Sequence, residues 1–155
     1  MAALAGYFFD TSVLVAGIIE LAGPEHPAQH LMAGVSDGRF ERPLTAWHCC
    51  LEFYSVATRL PRELRVEPRV AAQLAEQEIM NRFVVHALPR DRRVAFIRGA
   101  AHDAIHGGRI YDAHLAEIAR GAGAEVVVTD NRKHFVQLLR HGVRVLGSDE
   151  AAEHL

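Results

Sequence analysis

The sequence predicts an α/β domain built on parallel strands, and three observations carry that reading. Tyr7-Phe8-Phe9 is a continuous apolar run of β-prone residues, as in a strand buried on both faces, and it ends in Asp10. Asp10 runs directly into a helical stretch that opens with two hydroxyl residues, Thr11 and Ser12. Much later Val126-Val127-Val128-Thr129-Asp130 repeats the same layout, a buried strand ending in an acid. An acid in that place sits at the C-terminal edge of a parallel sheet, where open α/β folds put their ligands.

A chain of 155 residues is long enough for one domain, 1–155, that buries most of its apolar surface. Nothing approaches the run of ~20 apolar residues that spans a bilayer. The first residues lack a basic region before an apolar one, so the expected location is the cytoplasm and no membrane partner is expected. Cys49 and Cys50 are adjacent and cannot close a useful loop, which points to packed, reduced thiols. The net charge of −2 provides no global basic field, so a nucleic-acid partner must be held by a local patch or a metal.

The first helix is expected over 13–21, capped by Thr11 or Ser12 and stopped by Gly23-Pro24. A second runs over 27–35, with Pro27 tolerated at its start. Residues 41–45 read as a short strand that Pro43 weakens. Over 46–60 the period is helical, with Cys49, Phe53, Val56 and Leu60 on one stripe and Glu52 at its border. No basic residue stands three or four positions from Glu52, where His48, Cys49, Ser55 and Val56 lie, so this carboxylate either makes a remote salt bridge or serves a site.

Arg59, Arg62 and Arg65 cluster around Pro61, either as a solvated loop or as a crossing point for a nucleic-acid strand. A helix over 66–80, a strand over 82–86 and a helix over 92–105 follow. His102 and His106 have the i, i+4 spacing of a zinc chelate, but Asp103 replaces the longer acid of the zinc-protease motif and no third ligand follows. Helix-end histidines are the better reading. Asp112 then opens a helix with Leu115, Ala116 and Ala119 on its buried face, either as a cap or as a site acid. A strand over 124–130, a helix containing Phe135, Leu138 and Leu139, a strand over 142–147 and a helical tail complete the chain.

Four acids thus stand at junctions: Asp10, Glu52, Asp112 and Asp130. Two carboxylates 4 Å apart repel by about 4 kcal/mol at an effective dielectric near 20. If the four converge, a hard divalent cation is the natural counter-charge, and oxygen-only ligation favours Mg²⁺ or Mn²⁺ over zinc.

At Phe9-Asp10-Thr11-Ser12, Leu51-Glu52-Phe53, Tyr111-Asp112-Ala113 and Thr129-Asp130 with His134-Phe135, the chain resembles the PIN-domain nucleases. More narrowly, it resembles the toxin ribonucleases of VapBC-type toxin–antitoxin modules. The resemblance implies a five-stranded parallel sheet flanked by helices and cleavage of single-stranded RNA to a 3′-hydroxyl and a 5′-phosphate. It implies one or two Mg²⁺ or Mn²⁺ ions, with Asp10 and Asp112 as direct ligands and Glu52 and Asp130 completing the set or orienting the nucleophile. Thr11, Ser12 and Thr129 are candidates for holding phosphate or a water molecule, and Arg109 for contacting substrate. A cognate antitoxin and a homodimer are implied partners.

A non-toxin PIN nuclease of RNA processing and an inactive PIN-like binding module stand as alternatives. A haloacid-dehalogenase phosphatase would want an acid where Ser12 stands. A receiver domain would want paired acids and a suitably placed lysine, and Lys133 is the only lysine. A dinucleotide fold would want a Gly-x-Gly-x-x-Gly turn, which is absent.

Overall fold

The computed structural model describes residues 2–19, 23 and 25–155. The described strands are β1 (Leu4–Ala5), β2 (Tyr7–Phe9), β3 (Phe40–Glu41), β4 (Leu44–Ala46), β5 (Val84–His86), β6 (Val126–Val128) and β7 (Arg144–Leu146). Five of them form a sheet in the order β5-β4-β2-β6-β7, with every pair parallel. Parallel pairing needs crossovers, which α1 (Thr11–Ile19), α2 (Pro27–Ser36), α3 (Trp47–Thr58), α4 (Pro68–Leu74), α5 (Arg93–His102), α6 (Arg109–Gly121) and the segment Arg132–His141 supply, and α7 (Ser148–Ala152) follows the last strand. No helix among the described residues is long and apolar enough to cross a membrane.

β2 lies at the centre because its three residues are apolar on both faces. Tyr7, Phe8 and Phe9 are buried, and Phe9 meets Phe40 and Phe83 edge to face with centroids 5.2 and 5.3 Å apart. The all-valine β6 beside it is buried throughout. Since β4 and β6 flank β2 on opposite sides, the chain leaves β2 one way and returns later on the other. The crevice beyond Phe9 is therefore the switch point of the sheet.

The expected strand over 41–45 is two strands. Arg42 has a left-handed φ of 48°, and it separates β3 from β4 just as Gly6, with φ 72°, separates β1 from β2. β1 pairs with β3 and β2 with β4, Leu4 opposite Phe40 and Phe8 opposite Leu44, so the register is the same on both sides of the break. Both chains make the same left-handed step at the same level.

Other expectations shift at their ends. α1 begins at Thr11 rather than Val13, and its expected end at Leu21 and stop at Pro24 lie outside the described residues. The helix expected over 66–80 starts at Pro68 and widens into a π-helical turn at Ala75–Met80. α5 ends at His102, so His106 lies beyond the helix and the i, i+4 zinc chelate is not formed. Arg132–His141 is a 3₁₀ segment rather than an α-helix. Residues three apart eclipse in that geometry, which puts Phe135 and Leu138 together in the core.

α1 and α2 cross at Gly17. A Cβ there would lie 2.5 Å from Met32 Cγ and 2.6 Å from the Ala28 carbonyl oxygen. Alanine in place of glycine favours a helix by ~1 kcal/mol, while overpacking against a backbone atom costs roughly 1–3 kcal/mol. Gly17→Ala should therefore destabilise the fold by about 1 kcal/mol, read as a lower urea midpoint at unchanged slope. A raised midpoint would show that the two helices separate freely.

Candidate active site

Asp10 belongs to two elements at once. Its N–H donates to the Val128 carbonyl (3.0 Å), extending the β2–β6 ladder by one residue, and its own carbonyl accepts from the N–H groups of Val13 and Leu14. The residue that starts α1 is thus Asp10, not Thr11 or Ser12. That leaves both hydroxyls free for other work. The backbone N–H groups of Thr11 and Ser12 act on the Asp10 carboxylate to lower its pKa.

Asp10 is 5% exposed. Thr129 Oγ1 donates to Oδ2 at 2.8 Å and Ser12 Oγ donates to it at 3.1 Å. Each hydroxyl has one proton, and both spend it on Asp10. Each then accepts from the loop beyond β6: the Asp130 N–H donates to Ser12 Oγ (3.1 Å) and the Asn131 N–H to Thr129 Oγ1 (2.9 Å). Two chains of dipoles therefore run from the loop through a hydroxyl to one carboxylate. They do not offset its isolation from water. Burial raises the Asp10 pKa above the ordinary 3.8, with the hydrogen bonds opposing it. Cys49, buried behind it on α3, is pushed up to about 12, first by burial and then by the Asp10 charge. Cys49 and Cys50 are both buried free thiols.

The sheet register decides which side chain faces Asp10. Phe9 is opposite Val128, so the next pair is Asp10 with Thr129. Asp130 falls one residue further and points elsewhere. Its carboxylate accepts from the Ser148 N–H (3.0 Å) and Ser148 Oγ (2.9 Å) at the start of α7. Asp130 reaches the Asp10 network through its backbone N–H alone.

Glu52 joins the network from α3, accepting from Thr11 Oγ1 at 3.1 Å. A second partner is His48, one helical turn earlier, whose Nε2 lies 3.1 Å from the same oxygen. His48 stacks on Tyr111 with ring centroids 6.0 Å apart, and His114 approaches it edge-on at 5.8 Å. The His114 pKa is lowered by burial, then by the charges of His48 and Arg93. Asp112 lies inside the first turn of α6 rather than at its cap, and its carboxylate pairs with His134 Nδ1 at 3.4 Å. Sequence reasoning missed both imidazoles. The i, i+4 spacing of His48 and Glu52 was a usable signal, whereas nothing local linked Asp112 to His134.

Asp10, Ser12, Thr129 and the Asp130 backbone thus form one hydrogen-bonded group, Thr11 ties Glu52 in place beside it, and Asp112 pairs with His134. Arg109 lines a neighbouring cleft. No group of three or more His, Cys, Asp or Glu side chains among the described residues is placed to share a metal ion. The donors nevertheless suit a hard cation in kind. All are oxygens, and the buried Asp10 charge makes no ion pair with a cationic side chain among the described residues.

A family model described as PIN domain matches residues 7–133, a span that contains all four acids. The chain is 40% identical over 86 residues to Ribonuclease VapC27 of Mycobacterium tuberculosis, covering 55% of this chain and 60% of that protein. It is 37% identical over 125 residues to Ribonuclease VapC40 of the same species, covering 79% and 85%. Among solved structures, FitAcB from Neisseria gonorrhoeae superposes with a TM-score of 0.58 at 17% identity, over 92% of this chain and 97% of that one. FitAB bound to an IR36 DNA fragment superposes at 0.59 and 13% identity, over 92% and 94%. At those identities the likeness concerns the fold.

A carboxyl whose pKa is raised by folding favours the folded state below its ordinary value, and that contribution is lost as the pH rises through the folded value. Asp10→Asn keeps an acceptor oxygen and removes the charge. With a chelator present, it should be more stable than the parent at pH 7 by on the order of 1 kcal/mol, with the difference shrinking as the pH falls through the raised value and levelling off at the ordinary 3.8. Thermal melts across that range test this, and a variant less stable at every pH would contradict it.

Proposed function

The chain belongs to the PIN-domain family, and on that premise we propose that it is a divalent-metal-dependent endoribonuclease, the toxin of a toxin–antitoxin pair. Its substrate in this reading is single-stranded RNA. The observation that carries the reading is Asp10, a buried anion at the sheet switch point that hydroxyls and amides surround without neutralising. The ribonuclease names of its mycobacterial relatives support the same activity.

Asp10 and Asp112 would hold Mg²⁺ or Mn²⁺, with Glu52 completing the set or orienting the attacking water, and Asp130 would join them only by leaving Ser148. The chemistry such an ion supplies when bound is activation of water and neutralisation of charge building on the phosphate. The chain's own residues do the positioning. Ser12 and Thr129 keep Asp10 in one rotamer, Thr11 and His48 hold Glu52, and His134 holds Asp112. Arg109, which lines the neighbouring cleft, would contact a phosphate in this reading. The water oxygen bonds to phosphorus as the bond to the 3′ oxygen breaks, leaving a 3′-hydroxyl and a 5′-phosphate. In this reading residues 1–155 are one domain acting in the cytoplasm, as a homodimer that a cognate antitoxin restrains.

The test is cleavage of labelled single-stranded RNA with Mg²⁺ or Mn²⁺. Asp10→Asn and Asp112→Asn should each lose at least about a hundredfold in rate while remaining folded. A chelator should abolish cleavage, and His102→Ala with His106→Ala should leave it intact. Growth arrest on expression, absent in Asp10→Asn, separates a toxin from a housekeeping nuclease. Parental rates in both Asp variants would end the reading.

A further inference from the structure

A cleft of about 970 Å³ opens between α5, α6 and the 3₁₀ segment, at the upper end of the range for ligand clefts. Its walls include Asp112 and His134 of the candidate site but neither Asp10 nor Glu52, so it leads away from the site on one side. Five cationic side chains, Arg92, Arg109, Arg120, Lys133 and Arg140, line it against three carboxylates, those of Asp103, Asp112 and Glu117. Arg92 and Arg120 share Glu117 at 3.2 and 3.6 Å, and Asp112 is paired with His134. Arg109, Lys133 and Arg140 are exposed and form no ion pair among the described residues.

The charge is local, since the chain as a whole carries −2. Between the cations the wall is apolar: Val136 is 55% and Leu139 58% exposed, both on the 3₁₀ segment. Unpaired cations alternating with apolar faces match an unpaired nucleic-acid strand, which offers phosphates at intervals and bases and sugars between them. The other basic cluster fits less well. Arg65 turns back to donate to the Leu60 carbonyl at 2.9 Å, and neither it nor Arg59 nor Arg62 lines a cleft next to a site acid.

We propose that this cleft is a one-sided track for the RNA strand. Arg109, Lys133 and Arg140 take the phosphates of nucleotides running away from the scissile bond past Asp112, so nucleotides on that side of the cut contribute more to binding than those on the other. The inference rests on the ribonuclease reading and adds to it where the substrate lies and why affinity depends on length in one direction.

The experiment maps one cleavage position on a long single-stranded RNA, then extends a short cleavable core by six nucleotides on its 5′ or its 3′ side. In the parent, one extension should lower KM about tenfold and the other by less than twofold. Lys133→Ala with Arg140→Ala should abolish that gain and flatten the dependence of log KM on log salt by about 1.4, or ~0.7 for each phosphate contact on a single strand. Arg62→Ala should keep the gain. Equal gains from both extensions, gain from neither, or a loss that follows Arg62→Ala each overturn the track while leaving the ribonuclease intact. No cleavage by the parent in any arm overturns both readings together.

Discussion

A single negative charge held out of water governs the organisation of this molecule. Asp10 ends the central strand, extends its ladder to β6 and begins α1, so its carboxylate cannot leave the crevice without dismantling two elements. Everything packed around it answers to that charge. The two nearest hydroxyls donate to it, the loop after β6 turns its N–H groups toward those hydroxyls, and the Cys49 thiol behind it is driven toward its neutral form. Isolated carboxylates are expensive to bury, and dipoles offset only part of that expense. What remains is a standing affinity for positive charge.

The other acids are mounted differently. Glu52 and Asp112 are partly exposed on helices, and each is engaged by an imidazole. Asp130 is committed to the first residue of α7. The group therefore divides into one immobile anion and three whose present partners are hydrogen bonds of ordinary strength. Asp112 is the member shared with the cationic cleft, so a ligand drawn along α6 meets that acid first.

Much of this arrangement was legible in the residues. A strand buried on both faces has to be written as an unbroken apolar run, so an acid at its end stands out, and Tyr7–Phe9 and Val126–Val128 both announce themselves in that way. The partner of Asp10 was not legible. The two runs end in acids of the same layout, but the register depends on long-range pairing and puts Thr129, not Asp130, opposite Asp10. His48 stands four positions before Glu52, but an imidazole is a weak base and does not read in the sequence as a counter-charge. The 3₁₀ segment escaped because Phe135 and Leu138 suit either an α-helical or a 3₁₀ spacing. β1 and β3 are two residues each, too short to show a period.

The matched break at Gly6 and Arg42 carries a consequence for how such chains can change length. Because both strands step left-handed at one level, an inserted or deleted residue in either alone would invert the facing of everything beyond it and carry Phe9 and Thr45 to the wrong side of the sheet. Only paired changes, or changes ahead of β1 and in the connection from α1 to β3, preserve the phase. An alignment of homologues should then keep the spacing from Leu4 to Asp10 free of gaps, and gather them between the helices that follow.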